Sequence, residues 1–305
     1  LNQTLTDLQI IAMDDGSTDD SGNLLDRYAQ GDHCIEVHHR PNCGLVPTLN
    51  AGIDLCRSEF IARMDADDIA LPHRLELQLH HMLSHPNTLA MGSAIAYLGP
   101  AGLTGVRSHP PLSATAVANS LLKANCISHP TVMLRRSALM AVGGYRQAYT
   151  HAEDYDLWLR LRERGNLENV ADVLLQYRIH DGQISARQLR TQAISVTAAR
   201  LKIAPADVPT AAAEASILET AAGWAALLIK IRQLDAAAAL IADDTFFNLA
   251  SSPRRAAARR DWLNARLASA QGHYMTAFKA LSRAGIRDPA LLVETARKIC
   301  TQFGR

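Results

Sequence analysis

Over about the first 185 residues, short apolar runs alternate with helix-period segments, and beyond that point the alternation stops. Strands interleaved with helices must share a sheet whose faces the helices cover, so a layered α/β domain is predicted over residues 1–185. Residues 8–13, 34–37 and 60–64 read as strands. Each is followed by a turn and a helix: to about Tyr28 with Ser17 or Thr18 as cap, from Val46 to Cys56, and after Pro72 with Leu75, Leu79, Met82 and Leu83 as its apolar positions. Residues 88–98 and 103–107 flank Gly99-Pro-Ala-Gly102 as a hairpin. A helix at 113–124, a strand at 129–134, a short helix stopped by Gly143-Gly144, a helix at 153–164 and a last strand at 173–179 complete the domain.

From about Arg187 the chain is alanine-rich and poor in turn signals, which predicts an all-α region over 186–305. Gly272-His-Tyr274 to Ala284, followed by Pro289, resembles one tetratricopeptide-like helix pair. Gln233-Leu-Asp-Ala-Ala237 opens a candidate second helix of another pair, but at an offset other than the period of about 34 residues.

The 31 lysines and arginines nearly balance the 30 aspartates and glutamates, so bulk electrostatics gives no reason to expect nucleic acid as a partner. Five cysteines without a CxxC pair suggest reduced thiols and a cytoplasmic setting. No apolar run appears to approach the roughly 20 residues of a membrane span.

Four motifs, three of them acidic, carry the chemistry. Asp65-Ala-Asp67-Asp68 ends a strand, where closely spaced carboxylates offer hard oxygen ligands to a divalent cation. Asp14-Asp15-Gly-Ser-Thr-Asp19 ends another, followed by Asn42-x-Gly44, and Glu153-Asp154-x-Asp-Leu-Trp158 opens a helix. An Asx turn, a solvated strand end and a helix-dipole carboxylate are the ordinary structural uses of such residues. Their order, together with Tyr177-Arg178-x-His180, resembles the inverting family 2 glycosyltransferases of the GT-A fold, a Rossmann-like mixed sheet flanked by helices.

That resemblance implies a nucleoside diphosphate sugar donor, UDP-linked by preference, and a glycan or lipid-linked saccharide acceptor. Asp15, and secondarily Asp14, would contact the nucleobase or ribose; Asp65 the ribose or the metal's water shell; Asp67 would bind Mg2+ or Mn2+. Asp154 would be the catalytic base, with Glu153 orienting the acceptor or Asp154, and His129 in the loop beneath the acceptor. Arg178 would bind phosphate oxygens, and His180 would ligate the metal or donate to the β-phosphate, both side chains facing the same side of the last strand.

Members of the family begin with a strand and helix that this sequence does not show, which predicts an N-terminally truncated chain whose central backbone groups lack partners. The helical region is expected to dock a protein, a second copy or a membrane at its inner face. A non-catalytic scaffold using that region is the alternative. A nucleotidyltransferase would call for a glycine-rich basic loop that the visible chain lacks.

Overall fold

The long strand β5 (Thr88–Gly99) organises the larger sheet, and its burial explains its apolar sequence: Ala90, Met91, Ala94 and Ile95 are all in the core. The computed structural model describes residues 2–180, 188–247, 251–288 and 291. They fall into two compact units. The first comprises Leu1–Leu103, Arg107–Ile179 and Ala199–Lys202; the second comprises Thr104–Val106, His180–Ala198 and Ile203–Arg305.

In the first unit, β1 (Ile10–Asp14) and β2 (Ile35–His39) form a parallel two-stranded sheet, flanked by helices α1 (Ser21–Gly31) and α2 (Leu45–Leu55). The larger sheet has the order β3-β7-β5-β8-β4, where β3 is Phe60–Ala62, β4 is Ile69–Ala70, β7 is Met133–Arg135 and β8 is Asn166–Arg178. β5 runs parallel to β8 and antiparallel to β7, so the sheet is mixed, as expected. β6 (Gly102–Arg107) pairs back on β5 as the predicted hairpin. Among the described residues β1 pairs only with β2 and β3 only with β7, so no strand joins the two sheets.

Helix α3 (Arg74–Ser84) covers the sheet by placing Met82 against Met91 and Met133, with Phe60, Leu75, Leu79 and Val170 around them. Each such burial contributes about 1.5–3 kcal/mol. Leu83, expected on the same face, is instead exposed. Pro72 precedes this helix rather than entering its first turn. Likewise α1 begins at Ser21 and not beside Ser17 or Thr18, because the Ser17 amide donates to the Asp14 carboxylate instead. Ser113 does cap α4 (Ala114–Leu121), accepting from the Ala116 amide. His129–Thr131 is a short 3-10 turn, not strand, and is followed by β7 and by α5 (Arg136–Ala141). Gly143 and Gly144, at φ 77° and 66°, reverse the chain there. Helix α6 (Glu153–Leu161) then leads into β8.

The described part of the second unit is mainly helical: α7 (Leu189–Leu201, its last three residues counted with the first unit), α8 (Thr210–Lys230), α9 (Leu234–Ala242), α10 (Asp244–Phe247), α11 (Pro253–Ala270) and α12 (Tyr274–Arg287). Small buried residues, Ala258 of α11 and Ala284 of α12, let these two helices approach closely. Asp261 accepts from Arg283 and Arg287 across the pair. Helix α8 corrects one expectation: at 21 residues, with an 18-residue stretch of mean hydropathy 1.3, it is long and apolar enough to cross a membrane by length and composition alone. Here it packs on α9 and α11 through a face that includes Ile217, Ala221, Ala225 and Leu228.

Candidate active site

The Asp65-Ala66-Asp67-Asp68 turn joins β3 to β4, and one carboxylate oxygen from each of its three aspartates lies within 4.8 Å of the others. Their surroundings differ. Asp65 is gripped by Arg63, whose Nη1 and Nη2 reach its two oxygens at 2.6 and 2.5 Å. Asp67 is exposed. Asp68 is buried; one of its oxygens accepts the Arg178 amide at 2.9 Å, the other has no hydrogen-bond partner, and burial pushes its carboxyl up to about 6. A buried, unpartnered carboxylate oxygen among three converging carboxylates fits a hard divalent cation. Asp68 therefore joins Asp65 and Asp67 in the candidate metal group.

Arg178 ties this turn to the end of β8, since its Nε also donates to the Asp67 carbonyl at 2.7 Å. β8 ends at Arg178, so the alternation expected to place His180 on the same face does not extend that far. His180 is exposed and is counted with the second unit.

Asp14 and Asp15 have exchanged characters relative to a simple surface pair. Asp14, the last residue of β1, is buried. Hydrogen bonds from Ser17 and His39 hold its carboxyl at about 2, and His39 reaches on to Asp26 of α1. It is thereby committed to scaffolding. Asp15 accepts from the Cys43 amide at 3.1 Å, the Gly44 amide at 2.8 Å and the Thr48 hydroxyl at 2.7 Å. Burial raises its carboxyl, but these hydrogen bonds outweigh burial and bring it to about 2. Thus the Asp-Asp-Gly-Ser and Asn-x-Gly motifs meet physically: Asp15 fixes the N-terminus of α2, which opens with Gly44 at φ 89°.

Helix α6 presents Glu153 and Asp154 because the residues after them are locked inward. Tyr155 donates its hydroxyl to the Leu121 carbonyl, Trp158 is fully buried, and the buried Asp156 accepts from Arg146 and from Arg160. Arg160 in turn donates to the Val142 and Gly144 carbonyls, both at 2.7 Å. Glu153 is buried, which pushes its carboxyl up to about 7 with help from the neighbouring Asp154 charge. The half-buried Asp154 is also raised by burial, opposed by hydrogen bonds from the Tyr155 amide at 2.6 Å and from Asn125 Nδ2 at 2.7 Å. His129 does not face outward. It is buried against Trp158, its Nε2 lies 2.7 Å from the Tyr145 hydroxyl, and burial holds it well below its ordinary range, hence neutral. It supports α6 from beneath, in place of the acceptor contact expected of it.

Two residues whose side chains bond Asp154 or Asp65 have no counterpart among the expected ones. Asn125 is one. The other is Arg63, which besides holding Asp65 exerts an attractive field on both Glu153 and Asp154. Arg63 is placed by its own backbone, which donates to the Val132 carbonyl and accepts from the buried Arg74, itself held by Gln78. Arg63 and Asp65 both lie past the end of β3, so strand alternation did not disclose their pairing.

The glycosyl transferase family 2 model matches residues 1–143. The amylovoran biosynthesis glycosyltransferase AmsE of Erwinia amylovora is 32% identical over 188 residues, covering 61% of this chain and 70% of that protein. The O-antigen biosynthesis glycosyltransferase WbnJ of Escherichia coli is 33% identical over 186 residues, covering 59% and 72%. A solved mannosyltransferase, PcManGT from Pyrobaculum calidifontis in complex with GDP-Man and Mn2+, superposes with a TM-score of 0.53 at 17% identity. The match covers 94% of this chain and 80% of that one, and shows a shared fold. On the identity and coverage of these relatives, the chain belongs to glycosyl transferase family 2 and is a glycosyltransferase.

Proposed function

We propose that this glycosyltransferase moves a sugar from a nucleoside diphosphate sugar, UDP-linked by preference, to a hydroxyl of a surface-glycan or lipid-linked acceptor, with inversion at the anomeric carbon. One observation carries the reading: a single guanidinium, Arg63, holds Asp65 of the aspartate cluster and is felt by Asp154 and Glu153. The field of a charge weakens with distance, so a guanidinium felt by both acidic groups puts them in one locale. The names of AmsE and WbnJ support a polysaccharide acceptor, and the Mn2+ in the PcManGT complex supports a divalent ion.

Asp67 and Asp68 would hold Mg2+ or Mn2+, with Asp65 beside them. When bound, the ion neutralises charge developing on the departing nucleoside diphosphate. Asp15 and the α2 N-terminus it fixes would receive the nucleoside, and Arg178 the phosphates. Asp154 takes the proton from the acceptor hydroxyl as the new C–O bond forms and the bond to the phosphate oxygen breaks on the opposite face. Such an enzyme would work in the cytoplasm, at the inner face of the membrane.

The test is Mn2+-dependent UDP binding by calorimetry, with GDP as the comparison, followed by transfer from a panel of UDP-sugars. Asp67→Ala should lose metal-linked nucleotide binding. Asp154→Asn should keep it and lose transfer by about 10²–10⁴-fold. Transfer at the parent rate by both variants would mean that these two groups are not the site, whereas no transfer by the parent chain from any donor would favour the non-catalytic scaffold.

A further inference from the structure

Asn125 lies in the loop after α4, 29 residues from Asp154 in sequence, and is exposed. Its side-chain amide has only one orientation consistent with its contacts. Oδ1 accepts the Ile127 backbone amide at 3.2 Å, which turns Nδ2 toward Asp154 Oδ2 at 2.7 Å. The same loop is anchored further on, because the Cys126 carbonyl accepts from the buried Asn169 and Ile127 is itself in the core. The other oxygen of Asp154 accepts the Tyr155 amide. The carboxylate is thus held by one donor from its own helix and one from a separate, anchored loop.

We infer that Asn125 is a positioning residue for the transfer step: its amide, oriented by Ile127, fixes the rotation of the Asp154 carboxylate and favours its ionised, proton-accepting form. This rests on the role of Asp154 proposed above. A donor N–H stabilises the charged carboxylate more than the protonated acid, whose oxygens are weaker acceptors. The other charged and titratable groups around α6 do not replace it. Glu153 repels the Asp154 charge, the neutral His129 and Tyr145 satisfy each other, and Arg63 favours that charge through its field but spends its hydrogen bonds on Asp65, so it does not orient the carboxylate. Burial opposes ionisation of Asp154, so an oriented donor is what such a base requires.

The alternative is that Asn125 serves only its own turn through Ile127. Asn125→Asp separates the two, because it keeps an acceptor for the Ile127 amide and removes the donor to Asp154. Asn125→Ala removes both without adding charge. The readout is the carboxyl 13C titration of Asp154 in the full chain, assigned by the signal missing from Asp154→Asn, which needs no donor or acceptor. Asn125→Ala should raise the Asp154 midpoint by about one pH unit, and Asn125→Asp by at least as much, with melting temperature preserved in the latter. In transfer assays with the most active UDP-sugar of the panel, kcat should fall roughly tenfold with its acid limb moved upward, while KM for the donor stays within about twofold.

An Asp154 midpoint unchanged in Asn125→Ala would overturn the inference. So would a shift confined to Asn125→Asp, which the added charge alone explains. Undiminished transfer by Asp154→Asn would instead overturn the role of Asp154, a failure the titration distinguishes from the first.

Discussion

Arg63 holds both oxygens of Asp65, two residues further along the same strand end, while remaining only 10% exposed itself. Fork-to-fork pairing of this kind is geometrically demanding, and lysine cannot reproduce it. Asp65→Ala leaves a nearly buried guanidinium without its partner. We expect a loss of about 1–2 kcal/mol, between the values of exposed and fully buried pairs, measured by urea denaturation. A loss below about 0.5 kcal/mol would place the pair with ordinary surface bridges.

Glu153 gives a pH dependence of definite sign. Burial raises its carboxyl from 4.5 to about 7 in the folded chain, so the folded state binds the proton more tightly than the unfolded one. Its contribution is therefore most favourable below 4.5 and is lost as pH rises through about 7. Glu153→Gln should melt higher than the parent at pH 8 and close to it at pH 4.5, checked by paired thermal scans. Equal gains at both values would mean that packing, not ionisation, is responsible.

The Asp14–His39–Asp26 bridge acts in the opposite sense on either side of neutrality. Hydrogen bonds donated to Asp14 and Asp26 raise His39 above 6.5, so its contribution is full below 6.5 and lost as pH rises through the raised value. Asp14, lowered from 3.8 to about 2, contributes above 3.8 and loses that as pH falls toward 2. His39→Gln should thus destabilise most between about pH 4 and 6 and least above pH 8. Denaturation midpoints across that range give the answer, and a flat difference would exclude the bridge as the cause.

His129 is under α6, and its removal should act through that helix. His129→Ala leaves a cavity beneath Trp158 and strands the Tyr145 hydroxyl, at an expected cost of about 2–4 kcal/mol with reduced kcat. A variant of parental stability that instead raised KM for the acceptor would restore the acceptor contact read from the sequence.

Much of the first unit was legible because its strands are apolar and its turns carry glycine. The first half of β8 was not. Asn166, Glu168 and Asn169 look like loop residues, yet Asn169 is buried and donates to the Pro111 and Cys126 carbonyls, partners no local pattern discloses. β4, two residues long, is below the reach of any periodicity. At the site, the motifs singled out the carboxylates but did not disclose their surroundings. Asp14 turns inward because His39, on a different strand, is there to receive it, and Asp68 becomes buried because β8 closes over it. Such assignments are set by residues distant in sequence.

The lock on α6 has a consequence for how this enzyme could diversify. With Tyr155, Asp156 and Trp158 all held inside the domain, the backbone of Asp154 is set by its own helix, and only its side chain is held from a loop, through Asn125. Loops other than the one that carries Asn125 can be replaced by design without re-registering Asp154. The helix is a fixed datum, and changes of specificity can be made around it.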